Sequence, residues 1–244
     1  MKIVVVGGTG LIGSQVCALL REGGHEAVPA APSTGVDTLT GEGLAAALKG
    51  ADVVVDVSNS PSFDTEPALD FFTRSARNLF AAEKAGVRHH VALSIVGVDE
   101  VPGYGYYEAK VAQENAVRGS GVPYSIVRAA QFFEFVAPVM DMSTEGTEVR
   151  LPSTRLRPIA SADVAAAVAE AAQGEPSNGI RTIAGPEVHG LDRLGEITLA
   201  VKPDGRTVVT DERAGLFAGM PDVLTGDDRT HLATTRYEEW LRRN

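Results

Sequence analysis

An α/β fold, a doubly wound parallel sheet with a small C-terminal lobe, is what the sequence predicts, on three observations. The chain opens on a short apolar run, Ile3 to Val6, that feeds a glycine cluster and then a helical pattern. Strand-like runs and amphipathic helical stretches then alternate with short connections, as in a parallel sheet covered on both faces. After about residue 138 that alternation loosens. Residues 1–150 therefore read as the core, and residues 151–244 as strands and helices that complete the fold and cover a substrate site.

The stretch from Val4 to Ser14 reads VVVGGTGLIGS. The continuous apolar run is that of a buried parallel strand. Ile12, Val16, Leu19 and Leu20 then share one helical face. Between strand and helix, Gly8-x-Gly10-x-x-Gly13 is the dinucleotide fingerprint in the setting it requires. Glycines let the backbone turn sharply and approach a pyrophosphate. Free amides at the helix start, aided by the helix dipole, face the anion. Gly7, Gly8, Thr9, Gly10, Leu11, Ile12 and Gly13 are the expected cofactor contacts. A mononucleotide P-loop shares the Gly8–Gly13 spacing, but Ser14 stands where its lysine is required.

Composition narrows the class. The chain has 244 residues, 44% hydrophobic and 22% charged, which is ordinary for a globular domain. A net charge of −10 argues against nucleic acid, which needs a basic surface. No apolar run is long enough to span a bilayer, and an N-terminal core strand is not expected to be a removable signal. The single cysteine, Cys17, excludes an internal disulfide and is expected to pack under the first helix. A cytoplasmic location is the resulting expectation; the oligomeric state is left open.

The elements follow in order. A second strand is expected over His25–Pro29. Its end lacks both the Asp or Glu that favours NAD and the Arg that favours NADP. Ser33 and Thr34 stand there instead, able to donate to a 2′-phosphate with no carboxylate to repel it, so NADP(H) is favoured over NAD(H). A plain polar turn is the alternative. Asp37 is a candidate for the adenine amino group or a turn cap. A short helix over Gly43–Gly50 precedes a strand over Asp52–Val57, whose end carries Ser58 and Asn59 toward the cofactor crevice. A long helix over Pro67–Gly86 puts Leu69, Phe72, Ala76, Leu79 and Phe80 inward. A strand over Val91–Ile95 ends near Ser94; a helix spans Gly105–Gly119; a strand spans Tyr124–Val127, with Gln131 beyond its end. Later come helices over Ser161–Gln173, capped by Ser161, over Leu191–Val201 and over Thr235–Leu241, with a strand over Ile180–Ala184. Residues 204–228 read as turn-rich, with Leu216, Phe217, Met220 and Leu224 as isolated apolar residues.

Tyr106 and Lys110 lie four apart on the expected helix and share a face. A lysine ammonium there lowers a phenol toward use as a general acid. Ser94, at a strand end, is placed to hydrogen-bond a substrate carbonyl oxygen. A solvated helix face is the alternative for the Tyr–Lys pair.

GGTGLIGS at 7–14, GADVVVDVS at 50–58, NLFAAEKAGVRHHVALS at 78–94, YYEAK at 106–110, YSIVRAAQFFE at 124–134 and PIASADVAAAV at 158–168 resemble the atypical short-chain dehydrogenase/reductases, and within them the NmrA-like NAD(P)-binding branch. The resemblance implies a Rossmann-type core. It also implies the catalytic set Ser94, Tyr106 and Lys110, with Ala129, Ala130, Gln131 and Phe132 beside the nicotinamide. It implies hydride transfer between nicotinamide and a carbonyl or quinone-like acceptor, with Tyr106 as general acid/base. Two departures stand out: Phe72 replaces an Asn that helps hold the lysine in many extended members, and the second-strand Arg is missing. Some NmrA-like proteins bind cofactor without known catalysis, so a redox sensor acting through a protein partner is the second reading.

Phe132, Phe133, Phe135, Met140 and Met142 are either core or the wall of a pocket for a small apolar or aromatic substrate. Phe217 and Met220 are either a substrate cover or the lobe's own core. His89 and His90 point to opposite faces of a strand, so no metal site is expected. No Gly-x-Ser-x-Gly elbow marks a hydrolase serine.

Overall fold

The computed structural model describes residues 1–84 and 86–244. The strands and helices are β1 (Lys2–Val6), α1 (Leu11–Glu22), β2 (Glu26–Ala30), α2 (Leu44–Leu48), β3 (Val53–Asp56), α3 (Thr65–Glu83), β4 (His89–Ile95), α4 (Gly105–Gly119) and β5 (Tyr124–Ala129). They continue as α5 (Val136–Met142), β6 (Thr144–Glu145), β7 (Glu148–Leu151), β8 (Arg155–Leu156), α6 (Ser161–Gln173), β9 (Gly179–Ala184), β10 (His189–Gly190), α7 (Leu191–Val201), β11 (Thr207–Thr210), β12 (His231–Leu232) and α8 (Tyr237–Arg243).

The main sheet has seven strands in the order β2-β1-β3-β4-β5-β9-β12. The pairings β1–β2, β1–β3, β3–β4 and β9–β12 are parallel. This is the Rossmann-type doubly wound architecture that the alternation predicted. A strand–helix–strand crossover returns the chain in the same direction, so the ends of parallel strands collect at one edge.

The chain divides into two compact units, Met1–Arg128 with Val164–Arg181, and Ala129–Asp163 with Thr182–Asn244. In the first, Val4, Val6 and Val54 pack with Leu44, Leu48 and Leu79. Ala76 and Phe80 of α3 join Ala92, Val117 and Ile126 in a second cluster. Leu69 does not point inward as expected. It is 40% exposed, and Ala68 takes the buried place, because the inward stripe runs through Ala68, Phe72, Ala76 and Leu79. The helix starts earlier than expected and holds Pro67 in its first turn, where a missing amide hydrogen costs nothing.

In the second unit, β11-β7-β6 form a small sheet, and β8 pairs with β10. Within the stretch 204–228, expected to be turn-rich, β11 is a strand the sequence reading did not place. Its four residues, Thr-Val-Val-Thr, lie parallel to β7, too short a run between turns to show a period. Phe133, Tyr237 and Trp240 form an aromatic cluster with centroids 5.1 and 5.5 Å from Phe133.

No helix among the described residues is long and apolar enough to cross a membrane. His89 and His90 diverge. His89 Nε2 lies 2.9 Å from Ser125 Oγ, whereas His90 Nδ1 lies 2.8 Å from Glu83 Oε1 of α3. Both partners of the second pair are buried. Burial opposes charge on His90, but Glu83 beside it, aided by Asp56, outweighs burial and holds the imidazole pKa above its ordinary value.

A raised folded-state pKa stabilises the fold fully below the unfolded value of about 6.5, and the benefit is lost as pH rises through the folded value. The stability advantage of the wild type over Glu83→Gln is therefore expected to be largest near pH 6 and to shrink toward pH 9. Urea unfolding across that range checks it. An advantage independent of pH would mean that His90 stays neutral.

Candidate active site

The glycine turn is fixed by close backbone approach. Gly7 has φ +77° and its amide donates to Ala30 O at 2.9 Å, tying the turn to the end of β2. A Cβ on Gly13 would sit 2.2 Å from Gly7 O, and one on Gly8 2.6 Å from Val5 O. Gly10 differs. It is the exposed N-cap of α1, in extended conformation with no side-chain cap, and a Cβ there would meet only Gly7 O at 3.3 Å. The polypeptide thus dictates Gly8 and Gly13, while Gly10 is exposed at a helix N-terminus, with Gly7 O alone close to its Cβ position. That is the cradle a pyrophosphate fits. Cys17 is buried beneath it, its thiol pushed up by burial.

At the end of β2, Thr34 is engaged in its own turn: the Ala31 amide donates to Thr34 Oγ1 at 2.9 Å. Ser33 is exposed, its hydroxyl 3.4 Å from Thr9 Oγ1 of the glycine turn. Asp37 Oδ1 accepts from the amides of Leu39 and Thr40, at 2.7 and 3.3 Å, and so caps a turn.

Asp56 ends β3 and is 5% exposed. Its Oδ1 accepts from the Ser58 amide at 3.0 Å and the Ser58 hydroxyl at 2.6 Å. Its Oδ2 accepts from Gln113 Nε2 at 2.8 Å. Gln113 Oε1 in turn accepts from Lys110 Nζ. Lys110 also donates to Leu93 O at 2.8 Å and stands 4.6 Å from the centre of the Phe72 ring. Phe72, in the place of the expected Asn, thus still meets the lysine through its π face. Burial lowers the ammonium pKa to about 8, against the upward pull of Asp56 and Glu114.

Tyr106 is buried, and its hydroxyl donates to Asn59 Oδ1. Its ring meets Phe63 at 5.1 Å and Phe72 at 6.1 Å. The lysine-lowered phenol expected from the i, i+4 spacing is not observed: burial pushes Tyr106 up to about 12. The physical reason is that the ammonium is spent on Leu93, Gln113 and Phe72, inside a shell of apolar rings. Tyr104 and Tyr107 pair with each other at 5.0 Å.

Ser94 is 4% exposed, and its hydroxyl has no hydrogen-bond partner. A buried hydroxyl without a partner is costly, and a ligand oxygen could supply one here. Beyond it, Arg128 clamps the loop after β4 to α4, donating to Asp99 at 2.7 and 3.0 Å and to Glu114 at 2.8 Å from both Nε and Nη2.

Ser94, Tyr106, Lys110, Ser33, Thr34, Asp37, Ser58, Asn59 and the glycine turn all belong to the first unit. Ala130, Gln131, Phe132, Phe133, Phe217 and Met220 belong to the second. There, the Ala130 amide donates to Ile183 O at 3.0 Å, and Gln131 O accepts from the Ile159 amide at 2.9 Å. Phe132 bridges to Ile159. Phe133 and Phe217 are buried, and Met220 is half-buried. Asp56, Gln113 and Phe63 were missed by sequence reasoning. The signals were a carboxylate closing a run of valines, and a glutamine three residues after Lys110 on its helix face. No group of three or more His, Cys, Asp or Glu among the described residues could hold a metal ion.

Comparison with known proteins identifies the family and the fold. The chain belongs to the NAD(P)H-binding family, which it matches over residues 7–175. It is 35% identical over 143 residues to the (4-alkanoyl-5-oxo-2,5-dihydrofuran-3-yl)methyl phosphate reductase of Streptomyces griseus, covering 53% of this chain and 48% of that one. The chain spans about half the length of the curated relatives it matches. In fold it is similar to the NADPH-dependent quinone oxidoreductase QOR2 of Escherichia coli, solved with NADPH, at TM-score 0.76 and 20% identity, covering 99% of both chains. A dTDP-4-dehydrorhamnose reductase from Clostridium acetobutylicum aligns at TM-score 0.77 and 18% identity, over 100% of this chain and 98% of that one.

Gly13→Ala must displace backbone and is expected to cost about 1–3 kcal/mol or more. Gly10→Ala is expected to stay within about 1 kcal/mol. Paired thermal melts check this. Equal losses at the two positions would show that Gly10 also serves the chain's own packing.

Proposed function

We propose that the protein is an NAD(P)H-dependent oxidoreductase of the short-chain dehydrogenase/reductase type, in its NmrA-like branch, acting on a carbonyl or quinone-like small molecule. The observation that carries the reading is the buried, unpartnered hydroxyl of Ser94 at the end of β4. The open Gly10 cradle supports cofactor binding, with Gly7, Gly8, Thr9, Leu11, Ile12 and Gly13 around the pyrophosphate. The exposed Ser33 beside Thr9, with no carboxylate at the end of β2, supports NADP(H) over NAD(H).

When bound, a reduced nicotinamide supplies a hydride to the acceptor and is left oxidised. Ser94 donates a hydrogen bond to the acceptor oxygen and stabilises the charge that develops there. Tyr106 gives that oxygen its proton, so a carbonyl becomes an alcohol. A phenol held at about 12 is fully protonated at neutral pH, which suits a donor in the reductive direction. Lys110, charged below about pH 8, keeps a positive charge on the same helix, held by Leu93 O, Gln113 and the Phe72 ring. The half-exposed Phe63 ring against Tyr106 supports a flat, aromatic acceptor.

The test is NADPH titration by nicotinamide fluorescence, followed by turnover with a panel of quinones and ketones. Gly10→Val is expected to abolish NADPH binding while the protein still melts cooperatively. Turnover is expected to fall as pH rises through about 8, where Lys110 loses its proton. Binding that survives in Gly10→Val would overturn the placement of the cofactor on the glycine turn, and tight NADPH binding with no turnover of any acceptor would overturn the catalytic reading in favour of the sensor.

A further inference from the structure

We infer that Asp56 is the positioning residue of this site, its single carboxylate fixing where both the Tyr106 hydroxyl and the Lys110 ammonium stand. The inference deepens the proposed function and rests on its assignment of those two residues. Asp56 divides its oxygens. Oδ1 holds the amide and hydroxyl of Ser58, the residue before Asn59, and Asn59 receives the Tyr106 hydroxyl. Oδ2 holds the amide end of Gln113, whose carbonyl end receives Lys110. The two arms leave one buried atom pair and end on the two groups that share a face of α4.

The chemistry of the amide makes the second arm directional. A carboxylate only accepts, so it selects the NH₂ end of Gln113 and turns the carbonyl toward Lys110. An asparagine at position 56 imposes no such choice. Gln113 is then free to turn, presenting NH₂ to NH₃⁺, two donors face to face. Lys110 would lose both an acceptor and the negative charge that supports its proton in a fully buried place. The charged and titratable groups facing this cluster are Lys110 and Glu114 of α4, His90 of β4 and Glu83 of α3. Because Asp56 also supports His90, a variant that leaves the carboxylate in place is needed beside Asp56→Asn.

The test is NMR titration of cofactor-free protein labelled with 15Nζ-lysine. Lys110 is identified by the signal lost in Lys110→Met, and Lys2, Lys49, Lys84 and Lys202 serve as references. In the wild type the Lys110 signal is expected to titrate near pH 8, with the Gln113 side-chain amide following the same midpoint. In Asp56→Asn and in Gln113→Leu the Lys110 midpoint is expected to move to lower pH, a loss of about tenfold or more in proton affinity. The reference lysines stay put. An unmoved Lys110 midpoint in either folded variant overturns the inference. So does a wild-type Gln113 amide blind to Lys110 deprotonation, whether or not any variant folds. No NADPH enters these titrations, so failed turnover with a moved midpoint would sink the oxidoreductase reading alone, and normal turnover with an unmoved midpoint would sink the Asp56 inference alone.

Discussion

Parallel strand register is the constraint on which the chemical site depends. β1, β2, β3 and β4 are aligned so that Ala30, Val6, Asp56 and Ala92 form one row across the sheet. One or two residues past that row come Gly7, Ala31, Ser58 and Ser94. Strands that ran antiparallel would scatter these positions to opposite edges. In a parallel sheet the glycine turn, the buried carboxylate and the unpartnered serine share one edge by construction, and α4 needs only to bring Tyr106 and Lys110 alongside. A slip of one residue in β3 would turn Asp56 to the other face and empty the arrangement.

Burial then decides the protonation states. Burial pushes the Tyr106 phenol up to about 12 and lets the Lys110 ammonium fall to about 8, and the Phe72 ring touches both side chains. Both shifts move toward the neutral form, as expected when a low-dielectric setting outweighs neighbouring charge. In the proposed reaction Tyr106 would therefore start protonated, while the lysine is held by Leu93 O, Gln113 and the Phe72 ring. His90 of β4 shows the opposite balance, because a direct Glu83 contact outweighs burial.

How much of this was legible in the sequence follows from how local each cause is. The glycine fingerprint was readable because its residue types are dictated by contacts within a few residues, Gly13 against Gly7 above all. The bounds of α4 and the shared face of Tyr106 and Lys110 were readable from helical period alone. The protonation of that pair was not, because it depends on Phe63 and on residues brought from β3. Asp56 read as one more residue of a valine strand; two of its hydrogen bonds are local, to Ser58, and the one that ties it to Lys110, through Gln113, exists only after α4 packs. β11 was illegible because four residues give too few periods, and its pairing partner β7 lies far away in the chain.

The measurement that bears most directly on this view of the site is single-turnover oxidation of NADPH by a quinone, using NADPH deuterated at C4 on one face or the other. A site that holds the nicotinamide against a fixed edge should remove deuterium from one face only, with the other label retained in the oxidised product. Loss from both faces alike, or bound NADPH that no quinone or carbonyl oxidises, would contradict it.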